Sequence, residues 1–297
     1  MIEASCQHTL KGPAIIAGVG VHTGERVRLV VRPAPAGTGI VFVRTDVTDR
    51  DNRVPVSGEA VVQTRLGTVI GNAAGVTVST IEHLMATFAA LGVDNAEVQL
   101  DGPEVPIMDG SARDFVSLID RVGLRRQEAP RAFIEVLEPI EVVEGDKRAA
   151  LLPSERAEVF FEIEFATAAI GRQAVDVAVD AGSFRAELAD CRTFGFVQEV
   201  EALRAAGLAR GGSLANAVVV DGDRVLNPEG LRRPDEFVRH KALDAIGDLY
   251  VLGAPLLARF EGVKAGHGLN NQLVRALLAR PEAWRLRTDA PVLAQAV

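Results

Sequence analysis

Two periodicities divide the chain. Over the first 60 residues apolar and polar positions alternate, as in RVRLVVRPA and GIVFVRTD, and Gly and Pro separate the runs, which predicts strands joined by turns. From Ser79 the period lengthens. In STIEHLMATFAALG, Ile81, Leu84, Met85, Phe88 and Leu91 recur at helical spacing, with Ser79 or Thr80 as N-cap and Gly92 just past the end. A strand, NAEVQL, follows, and a Pro- and Gly-rich loop, DGPEVPIMDGS, leads into a second helix over Ala112 to Val122. RRQEAPR then reads as a charged, Pro-containing linker, which places a boundary near Ala129 and half-domains at residues 1–129 and 130–297.

The second half runs through the same plan. FIEVLEPIEVVEG and EVFFEIEF are strand-like, RHKALDAIGDLY is a helix stopped at Leu252 and Gly253, and PLLARFEG is a strand before a Gly-rich loop and a helix from Leu269. A shift of 161 positions lays Leu252 and Gly253 on Leu91 and Gly92, and the same shift puts Asp244 opposite His83. Self-similarity over this length points to two related α+β half-domains, with a pseudo-twofold bringing the starts of the equivalent helices together. From about Ser183 to Asp221 the second half also carries a strand–helix–strand insertion around the amphipathic VQEVEALRAAGLA.

Composition narrows the class. The chain has 297 residues, 48% hydrophobic and 24% charged, as expected of a globular protein of two packed domains. Its 32 basic and 40 acidic residues are evenly spread, and no basic stripe offers itself to nucleic acid. MIEASCQHTL has no basic, then apolar, leader pattern, and no 18 apolar residues run together; the expectation is a cytoplasmic chain without a membrane span. Cys6 and Cys191 are too few and too isolated for a disulfide framework or a paired-Cys zinc site, so any metal has to use His and carboxylates.

Those residues cluster. At about 100° per residue, His240, Lys241, Asp244 and Asp248 share one quarter-turn of their helix, opposite Ala242, Leu243, Ala245, Ile246, Leu249 and Tyr250. Such a polar arc is most often a solvated face. Yet His240 and Asp244, four apart, project together at about 5–6 Å between Cβ atoms, close enough to hold one ion. If the halves pack as the repeat suggests, His83, His240 and Asp244 form a two-His, one-carboxylate set with an open position, the pattern of catalytic zinc. Each histidine singly reads equally well as a capped or core imidazole.

Glu82 adjoins His83 as the glutamate of H-E-x-x-H adjoins its ligand, so it can act as a general base; the alternative is a capping box with Ser79. His267, flanked by glycines in KAGHGLNN, suits a cationic imidazole that stabilises an oxyanion or protonates a leaving amine, with Asp248 to orient it or merely exposed. Lys241 and Lys264 offer charge to a phosphate or are simply solvated. Thr193 in RTFGF can polarise a carbonyl or be an ordinary sheet threonine.

STIEHLMA, LDGPEVPIMDGSA, RTFGF, RHKALDAIGDLY and KAGHGLNN, together with the early GVGVHTGERVRLVVRPAPAGTGIVFVRTD, resemble the UDP-3-O-acyl-N-acetylglucosamine deacetylase family over nearly the whole chain. The resemblance implies two half-domains, each a β-sheet with two helices, the helices lying between the sheets and a metal at their junction. It implies zinc, or alternatively Fe2+, on His83, His240 and Asp244. Glu82 would be base, His267 an acid supported by Asp248, and Thr193 an aid to the oxyanion. Lys241 and Lys264 would face the substrate, and Phe194 would stand at the entrance of an acyl passage formed by the insertion.

The reaction implied is metal-assisted amide hydrolysis of a UDP-sugar lipid in lipid A biosynthesis, with a bell-shaped pH profile and at most transient inner-membrane contact. One departure stands out: the family's His-Pro pair before IG is replaced here, where the chain reads FATAAIG, Phe165 to Gly171. That keeps open a zinc amidohydrolase of another N-acyl sugar. A non-catalytic nucleotide-sugar binding protein is the reading from a different class.

Overall fold

A computed structural model describes residues 6–288; residues 1–5, part of the stretch read above for a leader, and 289–297 lie outside the described residues. One sheet has the order Ala14–Val19, Arg26–Pro33, Ala96–Leu100, Ile40–Arg44, Arg53–Pro55. Its pairs are antiparallel except Ile40–Arg44 on Ala96–Leu100, which is parallel. The second sheet contains Ile140–Glu144, Lys147–Pro153, Leu256–Val263, Glu158–Glu164 and Arg172–Ala178 in the same relation, with the parallel pair among these five again where Glu158–Glu164 meets Leu256–Val263. In each half a hairpin and its successor thus flank the strand that follows the buried helix, so the duplication read from the sequence is present in the topology. Phe133–Val136 and Trp284–Arg287 extend the second sheet alone.

The buried helices are Glu82–Leu91 and Glu236–Leu249. All residues of the first except Ala89, and all of the second except Arg239 and Lys241, are buried. A helix buried all round must be covered on several sides. The two pack on each other, the second also on Glu158–Glu164 and Arg172–Ala178, while Arg113–Val122 covers Ala14–Val19 and His267–Leu278 covers Ile140–Glu144 and Lys147–Pro153. The helices therefore form the middle layer of an α+β sandwich. A Cβ added at Gly247 would collide with the Glu82 carbonyl, so glycine is what lets the two helix backbones approach there.

Several boundaries differ from the sequence reading. The second buried helix begins at Glu236, so His240 lies in its second turn rather than at its start, and its polar quarter is buried rather than solvated except at the part-exposed Lys241. His267 is the first residue of the last helix instead of a loop residue. RRQEAPR is no linker: Leu124–Pro130 is a strand paired antiparallel with Cys6–Leu10. Neither Ser79 nor Thr80 caps the Glu82 helix, whose N-cap is Ile81 with no side-chain bond. Thr80 is drawn instead into a left-handed conformation (φ 59°) in which its hydroxyl donates to Glu104 Oε1 at 3.0 Å. The capping box is therefore absent. The insertion is helical at its outset, over Ala181–Ser183 and Phe184–Leu188, and the strand–helix–strand unit proper runs from Phe194–Phe196 through Val197–Ala205 to Val218–Asp221.

Candidate metal centre and active site

Crossing the two buried helices brings His83 from one half to His240 and Asp244 from the other. One ligand atom of each lies within 4.8 Å of the others. His83 Nε2 is 3.5 Å and His240 Nε2 3.3 Å from Asp244 Oδ1, and the imidazoles meet edge to face with centroids 5.0 Å apart. All three residues are buried.

The donor set suits a cation. Asp244 Oδ1 is buried without a hydrogen-bond donor, an arrangement costly for a carboxylate unless something positive takes its place. His240 Nδ1 lies 3.1 Å from the Cys191 carbonyl oxygen, to which only an N–H can donate, so the lone pair belongs to Nε2 on the Asp244 side. Burial holds the His240 imidazole down to about 3, against the raising effect of Asp244, so it is neutral and able to ligate. Burial alone would push the Asp244 carboxyl up, but the Lys241 ammonium, whose Nζ donates to Asp244 Oδ2 at 2.9 Å, helps to hold it well below the usual range.

Two further groups flank this cluster. Glu82 is buried, which raises its carboxyl despite the nearby His267 and His83, and Oε2 accepts from the Thr68 N–H at 3.0 Å. His267 Nδ1 lies 2.9 Å from Asp248 Oδ2, leaving Nε2 4.0 Å from Asp244 Oδ2. Burial works against the His267 cation, yet the Asp248 carboxylate more than offsets it and carries the group up to about 9. Asp248 is itself held by the Thr68 hydroxyl at 2.6 Å and Asn270 Nδ2 at 2.8 Å.

This cluster closes one end of a cavity of about 440 Å³, whose other walls come largely from the insertion, among them Phe194, Val200, Leu203 and Leu226. Phe194 stacks edge to face on Phe165, Phe237 and His240, and Thr193 lines the same cavity, its N–H donating to the Gly110 carbonyl at 2.8 Å. Lys264 is not in that wall: its ammonium pairs with Asp146 at 2.9 Å and Glu164 at 2.7 Å, which satisfy its charge locally. The FATAAIG segment forms the turn between two second-sheet strands and is tied to the turn that follows the insertion through Thr167 and Ala168, which donate to Gly222 O and Asp223 Oδ1.

Sequence reasoning missed Thr68, Asn270 and His22; the last also lines the cavity, its Nε2 3.2 Å from the Leu66 carbonyl. It missed as well the buried Arg192–Glu236 pair at 2.9 Å, which fastens the segment carrying Cys191 and Thr193 to the start of the Glu236 helix. Nothing local in RLGTVI or CRTF announces the distant partners of Thr68 and Arg192.

Fold and site together define an α+β protein of duplicated halves with a candidate metal centre at the end of an apolar-walled cavity. The particular family follows from comparison: the LpxC model, UDP-3-O-acyl N-acetylglycosamine deacetylase, matches residues 7–279, and the chain belongs to that family. It is 72% identical over 291 residues to a UDP-3-O-acyl-N-acetylglucosamine deacetylase of Phenylobacterium zucineum, covering 98% of this chain and 99% of that one. Proteins of the same name from Myxococcus xanthus and Shewanella oneidensis are 49% and 48% identical, over 94% and 96% of this chain and 88% and 95% of theirs.

Proposed function

We propose that the chain is a zinc-dependent amidohydrolase that removes the N-acetyl group of UDP-3-O-acyl-N-acetylglucosamine, releasing acetate, in lipid A biosynthesis. The observation that carries this reading is the buried, donorless Asp244 Oδ1 facing two imidazole Nε2 atoms beside Glu82 and His267. His83, His240 and Asp244 would hold the ion, which supplies Lewis acidity toward an acyl oxygen and toward water. The donor set of two imidazoles and one carboxylate also accommodates Fe2+.

The chain's own groups do the rest. Glu82, whose carboxyl is raised by burial, accepts the proton of the attacking water. His267, held cationic by Asp248, stabilises the negative oxygen of the tetrahedral intermediate and then gives its Nε2 proton to the departing amine. Thr193 adds a hydroxyl on the cavity side, and Lys241 keeps Asp244 ionised. Lys264 would reach a substrate phosphate only on leaving Asp146 and Glu164.

The insertion would receive the acyl chain, with Phe194 at its entrance. No residue of the Val197–Ala205 helix is buried, although it lines the cavity with apolar side chains, an exposure that a bound hydrocarbon would relieve. No helix among the described residues is long and apolar enough to cross a membrane. We assign the enzyme to the cytoplasm, with transient inner-membrane contact when it collects its amphiphilic substrate, and the half-domains to residues 1–129 and 130–297.

Acetate release from UDP-3-O-acyl-N-acetylglucosamine, before and after chelation and with zinc restored, tests the reading. Loss on chelation and recovery with zinc are expected. Equal or better turnover of an N-acyl sugar lacking UDP would favour the alternative substrate that the FATAAIG departure admits. Glu82→Gln should lower kcat by about 10²–10⁴-fold with zinc content unchanged; undiminished turnover in that variant would remove Glu82 from the role of base, and substrate binding without acetate release by either protein would point to a binding protein.

A further inference from the structure

Among the described residues, Thr68 hydrogen-bonds both Glu82, the proposed base, and Asp248, the partner of the proposed acid. It stands just before Val69–Gly71 in the first half and is 2% exposed. Its N–H donates to Glu82 Oε2 at 3.0 Å, and its hydroxyl donates to Asp248 Oδ1 at 2.6 Å, across the junction between the halves. The hydroxyl must be the donor, because an ionised carboxylate only accepts. On Asp248 the donors divide between the two oxygens. Thr68 Oγ1 takes Oδ1, Asn270 Nδ2 takes Oδ2, and His267 Nδ1 faces both, at 3.1 and 2.9 Å.

A carboxylate held from both ends cannot rotate about its Cβ–Cγ bond without losing a charge-assisted hydrogen bond. With that rotation blocked, the imidazole ring is fixed, and with it the direction in which Nε2 points. From this geometry we infer that Thr68 is a positioning residue for the reaction. Its hydroxyl locks Asp248, and through it the His267 ring, while its amide fixes the Glu82 carboxylate, so that base and acid are set relative to each other by the residue just before a short strand. The inference rests on the reading of Glu82 as base and His267 as acid.

Thr68→Val keeps the shape and the backbone N–H but removes the O–H; Thr68→Ser keeps the O–H and loses a methyl. Misdirecting an acid acts on the chemical step and not on substrate capture. Thr68→Val should therefore lower kcat by roughly tenfold while KM stays within about twofold. Thr68→Ser should recover most of the loss. In an Asp248→Asn background, where the locked carboxylate is gone, Thr68→Val should cost at most about twofold more.

A readout without turnover separates this idea from the proposed activity. The zinc-loaded wild type should show a low-field imidazole proton in its NMR spectrum, assigned to His267 Nδ1–H by its absence from His267→Ala. It should move upfield in Thr68→Val and stay in place in Thr68→Ser. An unmoved resonance in Thr68→Val, a full tenfold cost in the Asp248→Asn background, or no rescue by serine would each overturn the inference. Absent acetate release by wild type with the resonance shifted as described would instead sink the substrate assignment and leave the positioning role standing.

Discussion

His267 is the residue whose charge the surrounding fold controls most directly. Its ring is only partly exposed, and that desolvation by itself favours the neutral form, but the Asp248 carboxylate at 2.9 Å raises it to about 9. The sign follows. A histidine raised above its usual value of about 6.5 is cationic below that value whether folded or not, remains cationic in the fold up to about 9, and loses its charge above. Activity that needs the cation holds through neutral pH and falls on the alkaline side. Asp248→Asn removes the dominant raising charge, so the alkaline limb of the kcat profile should move down toward the ordinary histidine range, and a limb left where it was would show that another group sets it. Glu82, His83, His240, Asp244, Asp248 and His267 were legible in the sequence because the chain's few histidines stand beside carboxylates at helical spacing or between glycines. Thr68 and Asn270 were not: a threonine and an asparagine have many local uses, and the Thr68 contact that matters spans 180 positions.

At the scale of elements, the site depends on how closely two helices cross. Gly247 faces the Glu82 carbonyl so tightly that a methyl group there would force the backbones apart. Because Glu82 precedes His83 on one helix and Gly247 lies between Asp244 and Asp248 on the other, that separation would open the ligand cluster itself. Gly247→Ala is expected to cost about 1–3 kcal/mol of stability through overpacking, read as a lower midpoint in thermal unfolding, and to weaken zinc retention in a chelator competition. Unchanged zinc affinity at reduced stability would mean that the cluster adapts to the wider crossing. The existence of both helices could be read from their 3.6-residue period, whereas their starts could not. Thr80 has a better partner in Glu104 than in the helix backbone, and that partner lies 24 positions downstream. RRQEAPR misled for a related reason: its charges and proline look like a linker, but the Cys6–Leu10 strand supplies a ladder that no local pattern announces.

For the whole molecule, the duplicated sheets make the candidate metal centre a joint. One proposed ligand, His83, comes from the half containing the sheet of Ala14–Val19, and two, His240 and Asp244, come from the other. The repeat was visible in the sequence as a register of Leu-Gly stops, and the matching strand orders of the two sheets explain why that register places His83 opposite Asp244. A ligand bound across a joint stabilises the folded arrangement of both sides, because separation of the halves would release it. At a free zinc concentration 100 times its Kd, binding contributes about 2.7 kcal/mol, which for a chain of this size corresponds to roughly 5–10 °C in Tm. The chelated protein, titrated with zinc in a thermal-unfolding assay, should show a rise of that order. His83→Ala should remove most of it even though His240 and Asp244, on the same helix, remain. If the rise survived in His83→Ala, the ion would be held by the Glu236 helix alone, and the two halves would be joined by packing without help from the metal.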